Sequence, residues 1–164
     1  MQWGEMMIPL MKKILFATDL SQNSFYAFQY AVDLARCHDA KIIVLYAVEP
    51  VPKEVRFVGV LHRIEERERT EMPEQIHKLI QEFCQKSEAK IGAPCVALVS
   101  KILVPRGHPP EEILNAADEE GCDAIVLGTH GKGFLANTFL GSVSNAILHR
   151  TRKPVFIIPL PSEK

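Results

Sequence analysis

The chain has 164 residues, 47% of them hydrophobic, and a net charge of −1; it fits one globular domain whose core needs neither disulfides nor a metal to fold. The basic residues are not massed into one block, which argues against a duplex nucleic-acid binder, since that function needs a basic face for the phosphates. No apolar run reaches the ~18 residues of a membrane span, and residues 1–10 lack the basic-then-apolar order of a secretion signal, so they read as an extension ahead of a single domain at 11–164.

Residues 13–18 (KILFAT) form a short apolar run of strand formers, as in a strand buried on both faces. Asp19 follows, and Ser21 sits where a helix N-cap belongs. Phe25, Phe28, Ala31, Val32 and Ala35 then recur at helical spacing. Residues 41–48 (KIIVLYAV) predict a second strand, closed off by Pro50 and Pro52. Turn signals are then sparse to about residue 90. Ile76, Leu79, Ile80 and Phe83 mark a helical stripe there, and Pro73 either starts that helix or kinks a longer one. The charged stretch 63–71 reads as a solvated helical face. Gly92-Ala93-Pro94 ends the helix, and residues 96–104 predict a third strand.

After the turn Gly107-His108-Pro109-Pro110, Pro110 suits the first position of a helix over 111–120, with Gly121 as its C-cap. Residues 123–127 (DAIVL) predict a fourth strand running into Gly128. Residues 142–149 predict a helix and 154–158 (PVFII) the last strand. Five strands alternating with helices predict an α/β fold, a parallel sheet with helices on both faces. Ligands of such sheets bind at the carboxyl ends of the strands. Asp19, after the first strand, and the loop from Gly128, after the fourth, can meet there.

The segment 128–142 carries the chemistry. Gly131 and Gly133 can turn successive backbone amides toward one anion, and Lys132 adds a flexible positive charge. Gly141-Ser142 opens the last helix, whose first amides suit a phosphate, with the Ser142 and Ser144 hydroxyls as further donors. A Walker A loop is excluded, because Phe134 stands where its lysine belongs. Residues 131–136 match the relaxed dinucleotide pattern G-x-G-x-x-A. However, the helix begins later, and Arg150, Thr151 and Arg152 stand where a ribose-binding acid belongs.

Gly128-x-x-Gly131, nine intervening residues and then Gly141-Ser142 resembles the ATP-binding signature of the universal stress protein family. The resemblance runs over residues 12–159. It includes Thr18-Asp19-x-Ser21, Gly107-x-Pro109, Asp123-x-Ile125-Val126-x-Gly128, His130-Gly131 and Lys153-Pro154-Val155. It implies a five-stranded parallel sheet in the order 3-2-1-4-5, a Rossmann-like fold of the adenine nucleotide alpha hydrolase type. It implies homodimers, often paired through the C-terminal strand, and ATP as ligand. By the same resemblance, Thr18 and Asp19 belong to the ribose or adenine side, and Ala17 and Ala47 flank the base through backbone atoms. Leu127 and Gly128 line the floor. Gly131, Gly141, Ser142 and Val143 hold the phosphates, and the residues themselves add His130, Lys132, Gly133 and Ser144 to the same site. Ala17 departs from the proline or valine of many relatives. Mg2+ or Mn2+ is expected with the triphosphate, held mainly by phosphates and water.

Each feature has a plainer reading. Asp19 can simply cap the first helix. His130 fixes the loop by hydrogen bonds more readily than it serves as a base, and no spacing supports a metal shared by His108 and His130. His38, His62, His77 and His149 read as surface residues, and Glu111 and Glu112 as a helix start. Ser142 has no partnering base, so no catalytic residue is assigned. No two of Cys37, Cys84, Cys95 and Cys122 form a C-x-x-C pair, so all four are expected as reduced thiols of a cytoplasmic protein. The function expected is a nucleotide-dependent regulatory module of the stress response, acting on an unidentified protein partner. The alternative is a slow ATPase or nucleotidyl-transfer enzyme, although Asp19 is the one plausible metal-holding acid.

Overall fold

The computed structural model describes residues 10–50, 70–91, 95–129 and 140–159, with side chains omitted at 86–91. Its elements in chain order are β1 (Lys13–Ala17), α1 (Gln22–His38), β2 (Lys41–Leu45), α2 (Met72–Ile91), a 3-10 turn (Cys95–Leu98), β3 (Val99–Leu103), α3 (Pro109–Glu119), β4 (Ala124–Gly128), α4 (Ser142–Arg150) and β5 (Val155–Ile158). The strands form one sheet in the order β3-β2-β1-β4-β5, every pair parallel. This is the predicted order. The expected extension at 1–10 lies outside the described residues except for Leu10.

The alternation of side chains along a strand explains why both faces need helices. On β1, Ile14 and Phe16 point to one face and Leu15 and Ala17 to the other; on β2, Ile42 and Val44 oppose Ile43 and Leu45. One core joins Ile14, Phe16, Ile42 and Val44 to Phe28, Val32 and Ala35 of α1 and Ile76 and Ile80 of α2. The other joins Leu15, Ile43, Ile125 and Leu127 to Ile113 and Ala117 of α3 and Ile147 of α4. Phe16, Phe28, Ile14, Leu15 and Ile125 are completely buried or nearly so. Each such side chain contributes roughly 1.5–3 kcal/mol by leaving water.

The amino edge of the sheet is closed by polar contacts. Asp123 Oδ2 accepts from the backbone amides of Lys12 at 2.7 Å and Lys13 at 2.8 Å. Lys153 Nζ donates to the Cys122 carbonyl at 2.8 Å.

Several boundaries differ from expectation. The second strand is regular only to Leu45, short of the expected Val48. Beyond it the pairing with the β3 side continues irregularly: the Tyr46 and Val48 amides donate to the carbonyls of Leu103 and Pro105, at 3.0 and 2.8 Å, and Val48 forms an isolated parallel bridge to Arg106. The third strand begins at Val99 because β2 begins at Lys41 and pairs Ile42 with Val99; residues upstream have no strand to join and coil into the 3-10 turn. The ladder slips between Ile42 and Ile43, leaving Ser100 unpaired, and its hydroxyl donates to the Ile42 carbonyl at 3.3 Å. Pro73 is the second residue of α2, a position proline suits, and Thr70 just before it is also helical, so whether it starts this helix or kinks a longer one falls on residues outside those described. The third helix begins at Pro109, with Pro110 second and His108 at the cap without a side-chain cap bond.

The expectation of four reduced thiols is corrected. Cys84 of α2 and Cys95 of the 3-10 turn form a disulfide with Cα atoms 5.8 Å apart, and only Cys37 and Cys122 carry free thiols. Eleven residues of separation is no recognised spacing, but folding places the buried end of the α2 stripe against the turn that leads into β3. The loop closed by such a bond makes it worth about 3 kcal/mol in the chain-entropy picture.

Candidate functional site

A cavity of about 510 Å³ opens at the carboxyl edge of the sheet, where β1, β2 and β4 end beside the first turns of α3 and α4. That size suits a nucleotide-sized ligand. Its walls are Ala17, Thr18 and Asp19 after β1, Ser24 of α1, and Leu45, Tyr46, Ala47 and Glu49 at and after the end of β2. They continue with Pro109 and Ile113 of α3, Leu127 and Gly128 of β4, and Gly141, Ser142, Val143 and Ser144 at the start of α4. The site lies where the chain order of the sheet reverses, because β1 has β2 on one side and β4 on the other.

The turn from β1 to α1 is held by a short polar network. Ser21 caps α1, its Oγ accepting from the Ser24 amide at 3.2 Å. Asp19 Oδ1 accepts from the Ser21 amide at 3.0 Å and the Ser21 hydroxyl at 2.6 Å. Thr18 Oγ1 accepts from the Leu20 amide at 3.0 Å and the Ser24 hydroxyl at 2.6 Å. Leu20 has φ 61°, a left-handed conformation that a branched side chain rarely adopts and that costs about 1–3 kcal/mol. The network and the packing of Leu20 against the core hold that strained turn in place.

Asp19 Oδ2 is buried and has no hydrogen-bond partner among the described residues. A buried carboxylate oxygen in that state costs free energy unless a donor from outside the chain reaches it. Its sister oxygen is fixed by Ser21, so Asp19 presents a rigid acceptor beside the cavity. Thr18 Oγ1 already accepts two bonds, and its own proton remains available as a donor.

At the opposite wall, Gly141 is the N-cap of α4 with φ −65° and ψ 160°, and it has no side chain to cap the helix. The amides of Ser142, Val143 and Ser144 have no acceptor within the helix and carry its partial positive charge. The Gly141 amide donates to the Thr129 carbonyl at 2.6 Å, and the Asn145 amide to the Gly141 carbonyl at 3.0 Å, which fixes the helix start against β4. Ser144 corrects one expectation: its hydroxyl donates to the Gly128 carbonyl at 2.8 Å and is buried. It therefore ties α4 to the end of β4 and has no spare proton for an anion.

Of the residues expected at the site, Ala17, Thr18, Asp19, Ala47, Leu127, Gly128, Gly141, Ser142, Val143 and Ser144 come together around the cavity. His130, Gly131, Lys132 and Gly133 lie outside the described residues. Ser24, Leu45, Tyr46, Glu49, Pro109 and Ile113 were missed. Leu45, Tyr46 and Glu49 flank the expected Ala47, and the two prolines after β3 mark a helix start facing the same edge; those were the available signals.

The remaining polar chemistry is structural. Arg150 of α4 grips Glu111 of α3 with both terminal nitrogens, at 2.5 and 2.7 Å. That bond, before any longer-range attraction, holds the Glu111 carboxyl below its usual range. Burial pushes the Cys122 thiol up to about 11. His38, His77, His108 and His149 are exposed. Among the described residues no group of three or more His, Cys, Asp or Glu side chains is placed to hold a metal ion. No helix among them is long and apolar enough to cross a membrane.

Known proteins share this architecture. The chain is 33% identical over 152 residues to a universal stress protein of Thermus aquaticus encoded in the 3' region of the QAH/OAS sulfhydrylase, with 91% of this chain and 99% of that relative covered. It is 30% identical over 156 residues to universal stress protein MJ0577 of Methanocaldococcus jannaschii, covering 90% and 94% of the two. The solved MJ0577 structure superposes with a TM-score of 0.68 at 26% identity, over 94% of this chain and all of that one (100%). A universal stress protein solved in complex with cAMP has the same fold, with a TM-score of 0.60, 23% identity and coverage of 92% and 98%. Residues 11–159 match the universal stress protein family as a whole, and the chain belongs to it.

Proposed function

We propose that this universal stress protein binds an adenine nucleotide, ATP first among them, in the carboxyl-edge cavity and acts as a nucleotide-dependent regulatory module. The observation that carries this reading is the pairing of two opposed features across one cavity. Asp19 Oδ2 is a buried acceptor without a donor among the described residues. Gly141 leaves the first amides of α4 uncapped. A nucleotide satisfies both: its sugar or base supplies the donor, and its phosphates take the amides. Ala17, Ala47, Leu127 and the side chain of Ile113 supply apolar surface for the base between them. The relative solved with cAMP supports an adenylate as the ligand class.

The residues present fit ATP better than they fit ATP chemistry. Among the described residues, Asp19 and Glu49 are the two carboxylates on the cavity wall. Asp19 is held at Oδ1 by Ser21, and no histidine lies beside it there. A regulatory role therefore suits the site better than hydrolysis. The divalent ion, Mg2+ or Mn2+, rests mainly on phosphates and water in this reading.

Residues 11–164 act as one domain in this proposal, in the cytoplasm and as a homodimer. Among the described residues β5 pairs with β4 alone, and its Val155, Phe156 and Ile157 are only half-buried, which suits pairing across a two-fold axis. A protein partner then reads the nucleotide state.

The test is equilibrium titration of the purified protein with a slowly hydrolysed ATP analogue, alongside Gly141→Val. The parent is expected to bind and the variant to lose detectable binding with an unchanged circular dichroism spectrum, because a branched side chain would fill the approach to the helix start. Equal binding by both places the phosphates elsewhere.

A further inference from the structure

The Cys84–Cys95 disulfide lies at the far end of a continuous set of contacts that reaches the nucleotide cavity. Both cysteines are almost fully buried, at 1% and 2% exposure. Beside Cys84 on α2, Phe83 stacks on Phe25 with centroids 5.4 Å apart and meets Phe28 edge-on at 5.8 Å. Phe28 in turn lies 5.1 Å from Phe16 of β1. Phe25 stands in the first turn of α1, its amide donating to the Ser21 carbonyl at 3.2 Å. Ser21 is the residue that fixes Asp19 Oδ1, and the neighbouring Ser24 fixes Thr18.

We propose that the Cys84–Cys95 disulfide is a redox clamp: closed, it holds α2 and the first turn of α1 in the arrangement that aims Asp19 into the cavity; open, it weakens nucleotide binding. A dithiol opens it. One thiolate of the dithiol attacks a protein sulfur, the S–S bond breaks, and a mixed disulfide forms. The second thiol displaces that cysteine. Cys84 and Cys95 leave as two thiols carrying the two protons, and the dithiol leaves oxidised as its own disulfide. Two thiol sulfurs cannot remain at a bonded distance of about 2 Å; they separate to a non-bonded contact of roughly 4 Å. In a close-packed core that separation moves α2 away from the turn before β3, and Phe83 moves with it. Burial of both sulfurs makes the opening slow, because the reductant reaches them only when this region opens.

The affinity part of the proposal rests on the adenylate reading; the mechanical part does not. The experiment uses full-length Cys37→Ser protein, which removes the exposed thiol. It is oxidised with glutathione disulfide or reduced with excess dithiothreitol, and alkylation with mass spectrometry confirms each state. Two quantities are measured in both states: affinity for a slowly hydrolysed ATP analogue, and hydrogen exchange at the Ser24 and Phe25 amides. The oxidised protein is expected to bind at least about fivefold more tightly and to exchange more slowly at both amides. With Cys84→Ala and Cys95→Ala added, both quantities should match the reduced state and ignore dithiothreitol. Equal affinities in the two states overturn the proposal, as does a failure to form the bond under glutathione disulfide. If neither state binds nucleotide, the functional reading fails, and the exchange contrast alone then decides the clamp: a difference supports it and identical exchange overturns it.

Discussion

Asp19 has two oxygens in different situations, and that difference gives the first prediction. Oδ1 accepts two bonds from Ser21, whereas buried Oδ2 accepts none from the described residues. Asp19→Asn keeps the shape and removes the charge. A hydrogen bond to a charged group is worth about 1.5–3 kcal/mol, so affinity for an adenylate should fall by roughly tenfold to a hundredfold in titration calorimetry. The melting temperature should not fall with it, because the free protein loses no satisfied bond at Oδ2. Cys122 makes a prediction about pH. Its thiol ionises near 9.0 in the unfolded chain and near 11 in the fold, where burial opposes the thiolate. The unfolded chain therefore loses this proton first. The stability linked to it is complete below pH 9 and declines as pH rises toward 11. Denaturant unfolding at pH 8, 9 and 10 should show that decline, and Cys122→Ala should flatten it. At pH 8 a thiol reagent should label exposed Cys37 at once and Cys122 only on unfolding.

Among the elements, the end of α3 isolates a backbone effect. Gly121 has φ +63°, and a Cβ built there would meet nothing within 4 Å. Gly121→Ala therefore introduces strain without a clash and should destabilise the protein by about 1 kcal/mol in denaturant unfolding. A loss near zero would mean that the turn relaxes. This glycine was legible from its place after an apolar helical stripe, although the cap itself is Glu120 and Gly121 follows it; Ser21 was legible as the cap of α1 for the matching reason. Element ends set by a neighbour were not legible. Where β3 starts depends on where β2 starts, and residues 96–98 contain strand formers that have no strand beside them. The disulfide escaped in the same way, since it needs the packed position of α2 and not any spacing along the chain.

At the level of the whole molecule, the alternation of strands and helices showed the parallel sheet, while the order of its strands rested on the family resemblance. The site was partly legible. Asp19, Gly128 and the Gly141-Ser142 helix start were visible as small or acidic residues at strand and helix ends, whereas Ala47 came only from the family resemblance. Glu49, Tyr46 and Pro109 join them only because the fold curls separate segments around one opening. The role of Ser144 was hidden because a hydroxyl's partner is set by tertiary contact, here the Gly128 carbonyl. The central claim is that this opening holds a nucleotide with its phosphates on α4 and its sugar or base at Asp19. The most direct measurement is an amide NMR titration with ATP and Mg2+. The account predicts that the amides of Thr18, Asp19, Ala47, Ser142 and Val143 shift together and saturate at one affinity, while those of Lys12, Lys13 and Asp123 at the opposite edge stay still. Saturable shifts confined to any other surface, or no shifts at millimolar nucleotide, would contradict it.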